Sequence, residues 1–343
     1  MSTIASQDQD LYQEWCTMVN ECVMDSARWR QLGEQWQQGL EVDAKVAVDW
    51  PLKDLLKHGT RLYDRDGEVC YIVRRCVGAG GNGSVYLCDA RDFHLPVAIK
   101  TCKRRSQVPD LFREARLVAR RRYPHVVRLY GVDHVRVDGD GLALPILVME
   151  YLPGGNLYSR QKVRRSRGGL LSAAEAGSIL RSIALGLDAS QCIHRDLKPE
   201  NILFDAAGRP YLTDYGVALP ASITERVRFG YRFNKIIGTP GYMSPEQVLN
   251  TYHLDQRSDI FALGLMLFEM ITGRMAYESR DDEAMMEYAL RSVDEQPDLE
   301  QVSHATCRSV IARSLEKEPA KRFLSCLEFA EALDPVIRGV DLS

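Results

Sequence analysis

The stretch Cys192-Ile-His-Arg-Asp-Leu-Lys-Pro-Glu-Asn201 decides how the rest of the chain is interpreted. Pro199 argues against a continuous helix, because proline lacks a backbone N–H and clashes with the preceding helical turn. The segment is therefore predicted to be a loop that holds polar groups at fixed offsets. Asp196 can orient a hydroxyl, Lys198 can contact a phosphate, and Asn201 can bind a hard cation through oxygen. The less favoured alternative is a polar surface loop with one proline.

The composition is that of a soluble globular protein with more than one packed unit. The 343 residues exceed the usual size of a single core. Hydrophobic residues make up 45% of the chain, and the net charge of −3 gives no general attraction to nucleic acid or anionic membrane. The nine cysteines form no Cys-x-x-Cys pair, so reduced thiols in a cytoplasmic protein are predicted rather than zinc ligands or disulfides.

Neither a secretory leader nor a membrane span is predicted. Residues 1–10 contain no apolar run, and the most apolar late stretch, 260–271, is too short to cross a bilayer. Basic runs occur at 103–105, 120–122 and 160–167. Aromatic residues are not interleaved with them, so they are interpreted as solvated faces and no nucleic-acid partner is expected.

Residues 8–40 are predicted to form an amphipathic helix. Apolar residues recur at steps of four and three, and Asp25 interrupts the stripe formed by Leu11, Trp15, Met18, Cys22, Trp29, Leu32 and Trp36. Such a helix either packs on its own domain or binds a partner, including a second copy of the chain. Residues 1–60 are therefore set apart as a helical extension of unknown role.

From residue 60 the pattern changes to strands and then to helices. Strands are predicted at 61–63, 69–73, 84–89, 95–101, 126–135 and 146–151, with a helix at 109–122 whose buried face is Leu111, Ala115 and Val118. After Pro153-Gly-Gly155, helical patterns follow at about 172–191, 257–273, 282–293, 303–316 and 324–333. The predicted fold class is α+β and two-lobed, with a small β-rich lobe at 61–151 and a larger α-helical lobe at 152–343.

A glycine-rich segment separates the second and third of these strands. Residues 77–85 read Val-Gly-Ala-Gly-Gly-Asn-Gly-Ser-Val, which places Gly78, Gly80 and Gly83 in a G-x-G-x-x-G frame. Glycines let backbone amides approach phosphates closely. The same frame marks dinucleotide sites when a helix begins at the glycines. Here the sequence continues as a strand, so a flexible hairpin over phosphates fits better.

Two further segments carry charged residues suited to nucleotide chemistry. Val97-Ala-Ile-Lys100 ends a strand with an ammonium that can neutralise phosphate charge, although an isolated lysine there would extend into solvent. Glu114 on the next helix can fix Lys100 by an ion pair, or form a surface salt bridge instead. Asp214, in Thr-Asp-Tyr-Gly, lies 18 residues after Asp196 and can join Asn201 in binding magnesium; alone, it would mark a turn.

In their order along the chain, these motifs resemble those of eukaryotic-type protein kinases. The resemblance covers about residues 69–334, and it implies ATP with Mg²⁺, or Mn²⁺ in its place, as cofactors. The residues implied to bind ATP are Gly78, Ala79, Gly80, Gly81, Asn82 and Gly83 over the phosphates, Lys100 with Glu114, Val85, Ala98 and Leu203 around adenine, and Met149, Glu150 and Leu152 at the gatekeeper and hinge.

The resemblance also implies the catalytic residues. It makes Asp196 the base, Asn201 and Asp214 the metal ligands, and Thr239 a bridge between Asp196 and Lys198. Because Lys198 and Thr239 are typical of the serine/threonine members, protein serines and threonines are the expected acceptors. Structural roles are implied for Asp259, which supports the loop backbone, and for a buried Glu246–Arg322 ion pair.

Regulation and two rival functions follow from the same resemblance. Autophosphorylation is expected in segment 214–246 at Thr224 or Ser222, with Arg195 contacting the phosphate. Tyr215 replaces the usual phenylalanine and adds a hydroxyl that needs a partner if buried. Ser244 replaces an alanine, and neither change removes a reacting group. The rivals, a pseudokinase scaffold and a small-molecule kinase, are disfavoured by the retained reacting residues and by segment 238–246.

Overall fold

A computed structural model of the chain describes residues 56–64, 66–80, 83–93, 95–104, 107–118, 122–137, 144–222, 226, 237–251, 254–277 and 285–340. The helix predicted at 8–40 lies outside the described residues. The chain divides into two compact units, one ending at Tyr151 and the other beginning at Leu152, except that Arg121–Arg128 groups with the second unit. Each helix in the described ranges is too short or too polar to cross a bilayer.

The first unit is a closed antiparallel sheet accompanied by a helix. Its elements are β1 (Arg61–Tyr63), β2 (Val69–Gly80), β3 (Gly83–Ala90), β4 (Val97–Thr101), α1 (Val108–Val118), β5 (Leu129–Val137) and β6 (Leu144–Glu150). Neighbouring strands follow the order β1-β2-β3-β4-β6-β5, and β1 also pairs with β5. Because β1 pairs on both sides, the sheet closes into a barrel.

Alternation of side chains along the strands separates a core face from a second face. The core face contributes Tyr86, Cys88, Ile99 and Val148, which are all buried in one cluster. Helix α1 packs against β5 and β6. Its Leu111, Ala115 and Val118 are buried, which confirms the face predicted from their spacing.

The second unit is mainly helical. Its longer helices are α2 (Leu157–Ser166), α3 (Ala173–Ser190), α5 (Gln256–Thr272), α6 (Met285–Asp294) and α7 (Ala305–Ser314). Shorter elements are β7 (Cys192–Ile193), β8 (Ile202–Phe204), β9 (Pro210–Leu212), β10 (Leu219–Pro220), α4 (Pro245–Val248), α8 (Cys326–Ala332) and α9 (Asp334–Ile337). Helix α5 packs against α3 and α7, and it is buried on almost every side because its sequence is apolar all round.

Helix boundaries follow local capping chemistry. Ser172 and Glu175 form a reciprocal capping box at the start of α3, which ends where Gln191 adopts a left-handed conformation with φ of 51°. Gly273, with φ of 72°, ends α5. The five predicted helical patterns after residue 171 correspond to α3, α5, α6, α7 and α8.

Among the predicted strand starts, that of β5 differs most from the structure. The strand predicted to begin at residue 126 begins at Leu129. Val126 instead forms a parallel bridge with Leu212, and the Val127 N–H donates to the Leu212 carbonyl at 2.9 Å. These valines are buried against the second unit's own strand β9, so their apolar character reflects packing there.

Candidate active site

In the first unit, the second face of the sheet collects several predicted nucleotide-binding residues. Val85 pairs directly with Lys100, and Ala98 pairs directly with Met149, so these four side chains share one face. Ala98, Lys100 and Met149 are buried. These four side chains are therefore apolar except for the Lys100 ammonium group.

Lys100 is held by a short ion pair. Its Nζ donates to Oε2 of Glu114 at 2.6 Å, and both side chains are about nine-tenths buried. Glu114 reaches Lys100 because α1 packs on the sheet. A pair this close and this buried is not a surface salt bridge, which was the alternative left open by the sequence.

The glycines at the β2–β3 connection have different physical requirements. Gly83, with φ of 145°, lies where an added Cβ would be 2.0 Å from the Thr101 carbonyl oxygen, so the fold itself requires glycine there. An added Cβ at Gly80 would meet nothing within 4 Å, and at Gly78 only Val85 at 3.9 Å. Packing therefore leaves both of these positions open. Gly81 and Asn82 lie outside the described residues.

In the second unit, the loop that follows β7 is fixed by a buried carboxylate. Asp259 of α5 accepts hydrogen bonds from the backbone N–H groups of His194 at 2.7 Å and Arg195 at 2.9 Å. Complete burial raises the pKa of Asp259 to about 7, although these two N–H donors act in the opposite direction. The loop backbone is thereby anchored to the most buried helix of the unit.

Three side chains then form a closed triangle of hydrogen bonds. Thr239 Oγ1 donates to Asp196 Oδ1 at 2.6 Å. Lys198 Nζ donates to Asp196 Oδ2 at 2.9 Å and to Thr239 Oγ1 at 3.0 Å. Both carboxylate oxygens of Asp196 are oriented in this way, and the group remains partly accessible with its side chain 11% exposed.

Two residues that the sequence analysis missed bring Thr239 to the loop. Gly238, with φ of 132°, lies where an added Cβ would be 2.9 Å from the Arg195 carbonyl oxygen. Gln247 Nε2 donates to that same oxygen at 2.7 Å and also forms a capping box with Ser244. The Ser-x-x-Gln spacing was visible in the sequence as a capping signal, and it would have identified Gln247.

Asn201 and Asp214 are connected through the β8–β9 hairpin. Strands β8 and β9 pair with each other. The N–H of Thr213, the residue before Asp214, donates to the Asn201 carbonyl at 3.0 Å, so a backbone hydrogen bond links Asn201 to the residue that precedes Asp214. Asn201 Nδ2 donates to the Asp196 carbonyl at 2.9 Å, which leaves its side-chain oxygen directed elsewhere. Asp214 has a φ of 66°, which is uncommon outside glycine. Two oxygen donors of this kind suit a hard divalent cation.

His194 and Arg195 bind neighbouring backbone groups. His194 Nε2 lies 3.0 Å from the Thr213 carbonyl, and its Nδ1 lies 3.4 Å from the Asp196 N–H, which together match a neutral Nε2–H tautomer. Burial lowers the pKa of His194 and favours that neutral form. Arg195 donates through Nε to the Val217 carbonyl at 2.7 Å and through Nη2 to the same oxygen. The Val217 carbonyl thus accepts hydrogen bonds from the Arg195 guanidinium, which was predicted to contact a phosphate.

Glu246 and Arg322 form a bidentate ion pair in the interior. The Nη1–Oε1 and Nη2–Oε2 distances are 2.7 and 2.9 Å, and the Arg322 side chain has no exposed surface. Ser258 Oγ also donates to Glu246 at 2.7 Å. Burial acts to raise the pKa of Glu246, but the Arg322 contacts outweigh it and the pKa is lowered.

Comparison with known proteins identifies one family. A family model described as "Protein kinase domain" matches residues 71–332. The chain is similar to the serine/threonine-protein kinase PknE of Mycobacterium tuberculosis, with 30% identity over 279 residues, or 79% of this chain and 47% of that protein. It is also similar to PksC of Streptomyces coelicolor, with 31% identity over 74% of this chain and 47% of that protein.

A further similar protein is the probable serine/threonine-protein kinase PknB of Corynebacterium glutamicum. The two chains are 30% identical over 78% of this chain and 42% of that protein. The chain thus spans about half the length of the curated relatives that it matches.

Proposed function

The chain belongs to the protein kinase family, and we propose that it transfers the γ-phosphoryl group of ATP to serine and threonine hydroxyls of proteins. The observation that carries this proposal is the triangle of Asp196, Lys198 and Thr239. It presents an oriented carboxylate beside an ammonium, which are the two groups needed to accept a hydroxyl proton and to neutralise phosphate charge.

The first unit is proposed to bind the nucleotide. Lys100, fixed by Glu114, binds the α- and β-phosphates of ATP, and Val85 and Ala98 contact the adenine ring. Met149 and Glu150 end strand β6 next to these positions. The open space at Gly78 and Gly80 fits a ligand, because packing among the described residues gives no reason for glycine there.

The second unit is proposed to carry the transfer step. Asp196 orients the attacking hydroxyl and accepts its proton, while Lys198 stabilises the charge on the moving phosphoryl group. Asn201 and Asp214 hold the divalent cation, with Mg²⁺ as the proposed ion and Mn²⁺ as a substitute. When bound, the ion neutralises negative charge on the phosphates. Leu152 and Leu203, also in this unit, are proposed as adenine contacts.

Serine and threonine are proposed as acceptors because Lys198 fills the space beside Asp196. Lys198 donates to both Asp196 and Thr239, so the Lys198 and Thr239 side chains set the polar surroundings of the Asp196 carboxylate. The serine/threonine class of the similar kinases favours the same choice. A pseudokinase or a small-molecule kinase is disfavoured by the intact Lys100–Glu114 pair and by this triangle.

The direct test is transfer from γ-labelled ATP to a generic protein substrate. The purified chain with Mg²⁺ should give labelled phosphoserine and phosphothreonine, and the double variant Lys100→Met with Glu114→Gln should remove most of the label. The paired change avoids leaving the Glu114 carboxylate buried without its partner, so its melting temperature should stay closer to wild type than that of Lys100→Met alone. Equal labelling by the wild type and the double variant would contradict the proposal, and labelled phosphotyrosine would contradict the acceptor assignment.

Alanine at two neighbouring glycines should separate ligand binding from folding. Gly80→Ala should raise KM for ATP by roughly tenfold, corresponding to about 1.4 kcal/mol, because the methyl group occupies space proposed for the phosphates. Its melting temperature should not change. Gly83→Ala should lower the melting temperature, since its methyl group would overlap the Thr101 carbonyl. Thermal melts and steady-state kinetics measure both effects, and a destabilised Gly80→Ala would refute this division.

Autophosphorylation is proposed at Ser222 or Thr224. A phosphate adds about −1.5 to −2 charges and would compete with the Val217 carbonyl for Arg195. Phosphopeptide mapping after incubation with ATP and Mg²⁺ should find label between residues 214 and 246, and Ser222→Ala with Thr224→Ala should remove it. An active enzyme with this segment unlabelled would rule out the proposal.

The N-terminal segment is proposed as a partner or dimer contact. A chain starting at residue 57 should keep its phosphoryl-transfer activity per active site and lose any association of the full chain, measured by light scattering. If both chains have the same number of subunits per particle at all concentrations, the segment has no role in self-association. A cytoplasmic location also stays a prediction, based on reading the nine cysteines as reduced thiols.

A further inference from the structure

Tyr215 is a buried phenol without a hydrogen bond. Its residue is 2% exposed, and within the described part of the chain its hydroxyl oxygen has no hydrogen-bond partner. The ring packs edge-on against His194 with centroids 4.9 Å apart. The hydroxyl of Ser190 is a polar neighbour with an influence on the phenol. Its Oγ donates to the Leu187 carbonyl at 2.9 Å, and no described residue meets hydrogen-bond geometry with the Tyr215 oxygen.

An unpaired buried hydroxyl opposes the conformation that buries it. Taking a hydroxyl out of water without a replacement hydrogen bond is unfavourable, whereas burying the aromatic ring is favourable. Residue 215 therefore contributes two opposing effects to the same conformation. Phenylalanine at this position would keep the ring contact with His194 and remove the unfavourable part.

The position of Tyr215 links this opposition to Asp214. Asp214 precedes it with a left-handed φ of 66°, which is itself unfavourable for a residue with a Cβ. The turn that follows is held by the Ala218 N–H, which donates to the Tyr215 carbonyl at 3.0 Å, and by Arg195, which donates to Val217. Two unfavourable features are thus adjacent in the segment, and a few hydrogen bonds and ring burial offset them.

We propose that Tyr215 is a positioning residue whose unpaired hydroxyl weakens the conformation that presents Asp214. The conformation that presents the Asp214 carboxylate is then less stable than it would be with phenylalanine at position 215. Part of the free energy of metal binding is needed to stabilise that conformation. The proposal rests on the proposed function in one respect, the assignment of Asp214 as a metal ligand. Apparent affinity falls by the fraction of molecules in the competent conformation, so residue 215 sets the cation concentration that the site needs.

Two tyrosine-to-phenylalanine substitutions in the same unit should change the melting temperature in opposite directions. Tyr215→Phe should raise the folded-to-unfolded ratio by roughly fivefold, or about 1 kcal/mol, and the melting temperature by about 2–4 °C. Tyr242→Phe is the matched control, because Tyr242 donates its hydroxyl hydrogen to Glu269 Oε2 at 2.6 Å and its removal should lower the melting temperature. These melts use the full chain without ATP or metal. A Tyr215→Phe melting temperature equal to or below wild type would overturn the proposal.

The link to Asp214 has its own measurements. Hydrogen exchange in the peptide 212–218 should slow in Tyr215→Phe and not in Tyr242→Phe. Mn²⁺ binding with a non-hydrolysable ATP analogue, followed by electron paramagnetic resonance, should be about twofold tighter in Tyr215→Phe, because the fraction of folded molecules in the competent conformation rises. A raised melting temperature with unchanged exchange and Mn²⁺ affinity would overturn the positioning role. If the proposed function itself were wrong, no variant would label protein from ATP, while the melting and exchange differences would persist.

Discussion

Asp196→Asn should give a folded protein that transfers phosphate roughly 10²–10⁴ times more slowly than wild type. Asparagine keeps the shape of the side chain but cannot accept the hydroxyl proton. It also replaces one oxygen of the triangle by an NH₂ group, which would face either the Lys198 ammonium or the Thr239 hydroxyl. Both losses act on the reacting group, so kcat should fall far more than KM for ATP changes.

The measurement is initial-rate transfer from labelled ATP, with melting temperature as the test of folding. Asp298→Asn is the matched control, because Asp298 caps a short helical turn by accepting the Glu300 N–H and asparagine can do the same. The control should keep wild-type rates. If Asp196→Asn kept more than a tenth of the wild-type kcat, the carboxylate would not be the base.

Arg322→Ala should be the most destabilising single substitution considered for this chain. It would leave Glu246 buried without its bidentate partner, and the loss of one member of a buried pair costs about 3–5 kcal/mol. For a unit of this size, the melting temperature should fall by roughly 10 °C. The three backbone carbonyls of Arg257, Glu316 and Lys317 would lose a donor as well.

Two comparisons distinguish an unpaired charge from lost packing. The double variant Glu246→Gln with Arg322→Met should be less destabilised than Arg322→Ala, because no buried charge remains. Acidification gives the second comparison. The lowered pKa of Glu246 means that its stabilising contribution is present above its ordinary pKa of 4.5 and is lost as pH falls through the lower folded-state value. The stability difference between wild type and Arg322→Ala should therefore narrow in acid, and a constant difference would point to packing alone.

Strong periodicity allowed much of the fold to be predicted from sequence. The buried face of α1 followed from helical spacing, and α3 and α5 followed from long apolar patterns. Such elements are determined by residues close together in the chain, so a single sequence is enough to predict them. The residues alone left Glu114 either as the partner of Lys100, 14 residues distant, or in a surface salt bridge, and the family resemblance favoured the pairing with Lys100.

Elements that depend on tertiary contacts were not predictable in the same way. The sequence of helix α2 was interpreted as a solvated basic run because it has no apolar stripe. In the structure the helix buries only Leu157 and Gln161. Its N-terminus was nevertheless marked by Asn156, whose side chain accepts the Ser159 N–H. The sequence analysis expected a partner for the Tyr215 hydroxyl if it were buried. Whether that partner exists depends on residues from distant parts of the chain, and among the described residues it does not.

The three-residue strand β1 has a consequence for how far the chain can be shortened. It pairs with β2 on one side and β5 on the other, so its removal would expose two strand edges at once. Unpaired edges act as templates for intermolecular sheet formation and aggregation. Residues 61–63 are thus a solubility element as much as a structural one, and the safe limit for N-terminal deletion lies ahead of Arg61.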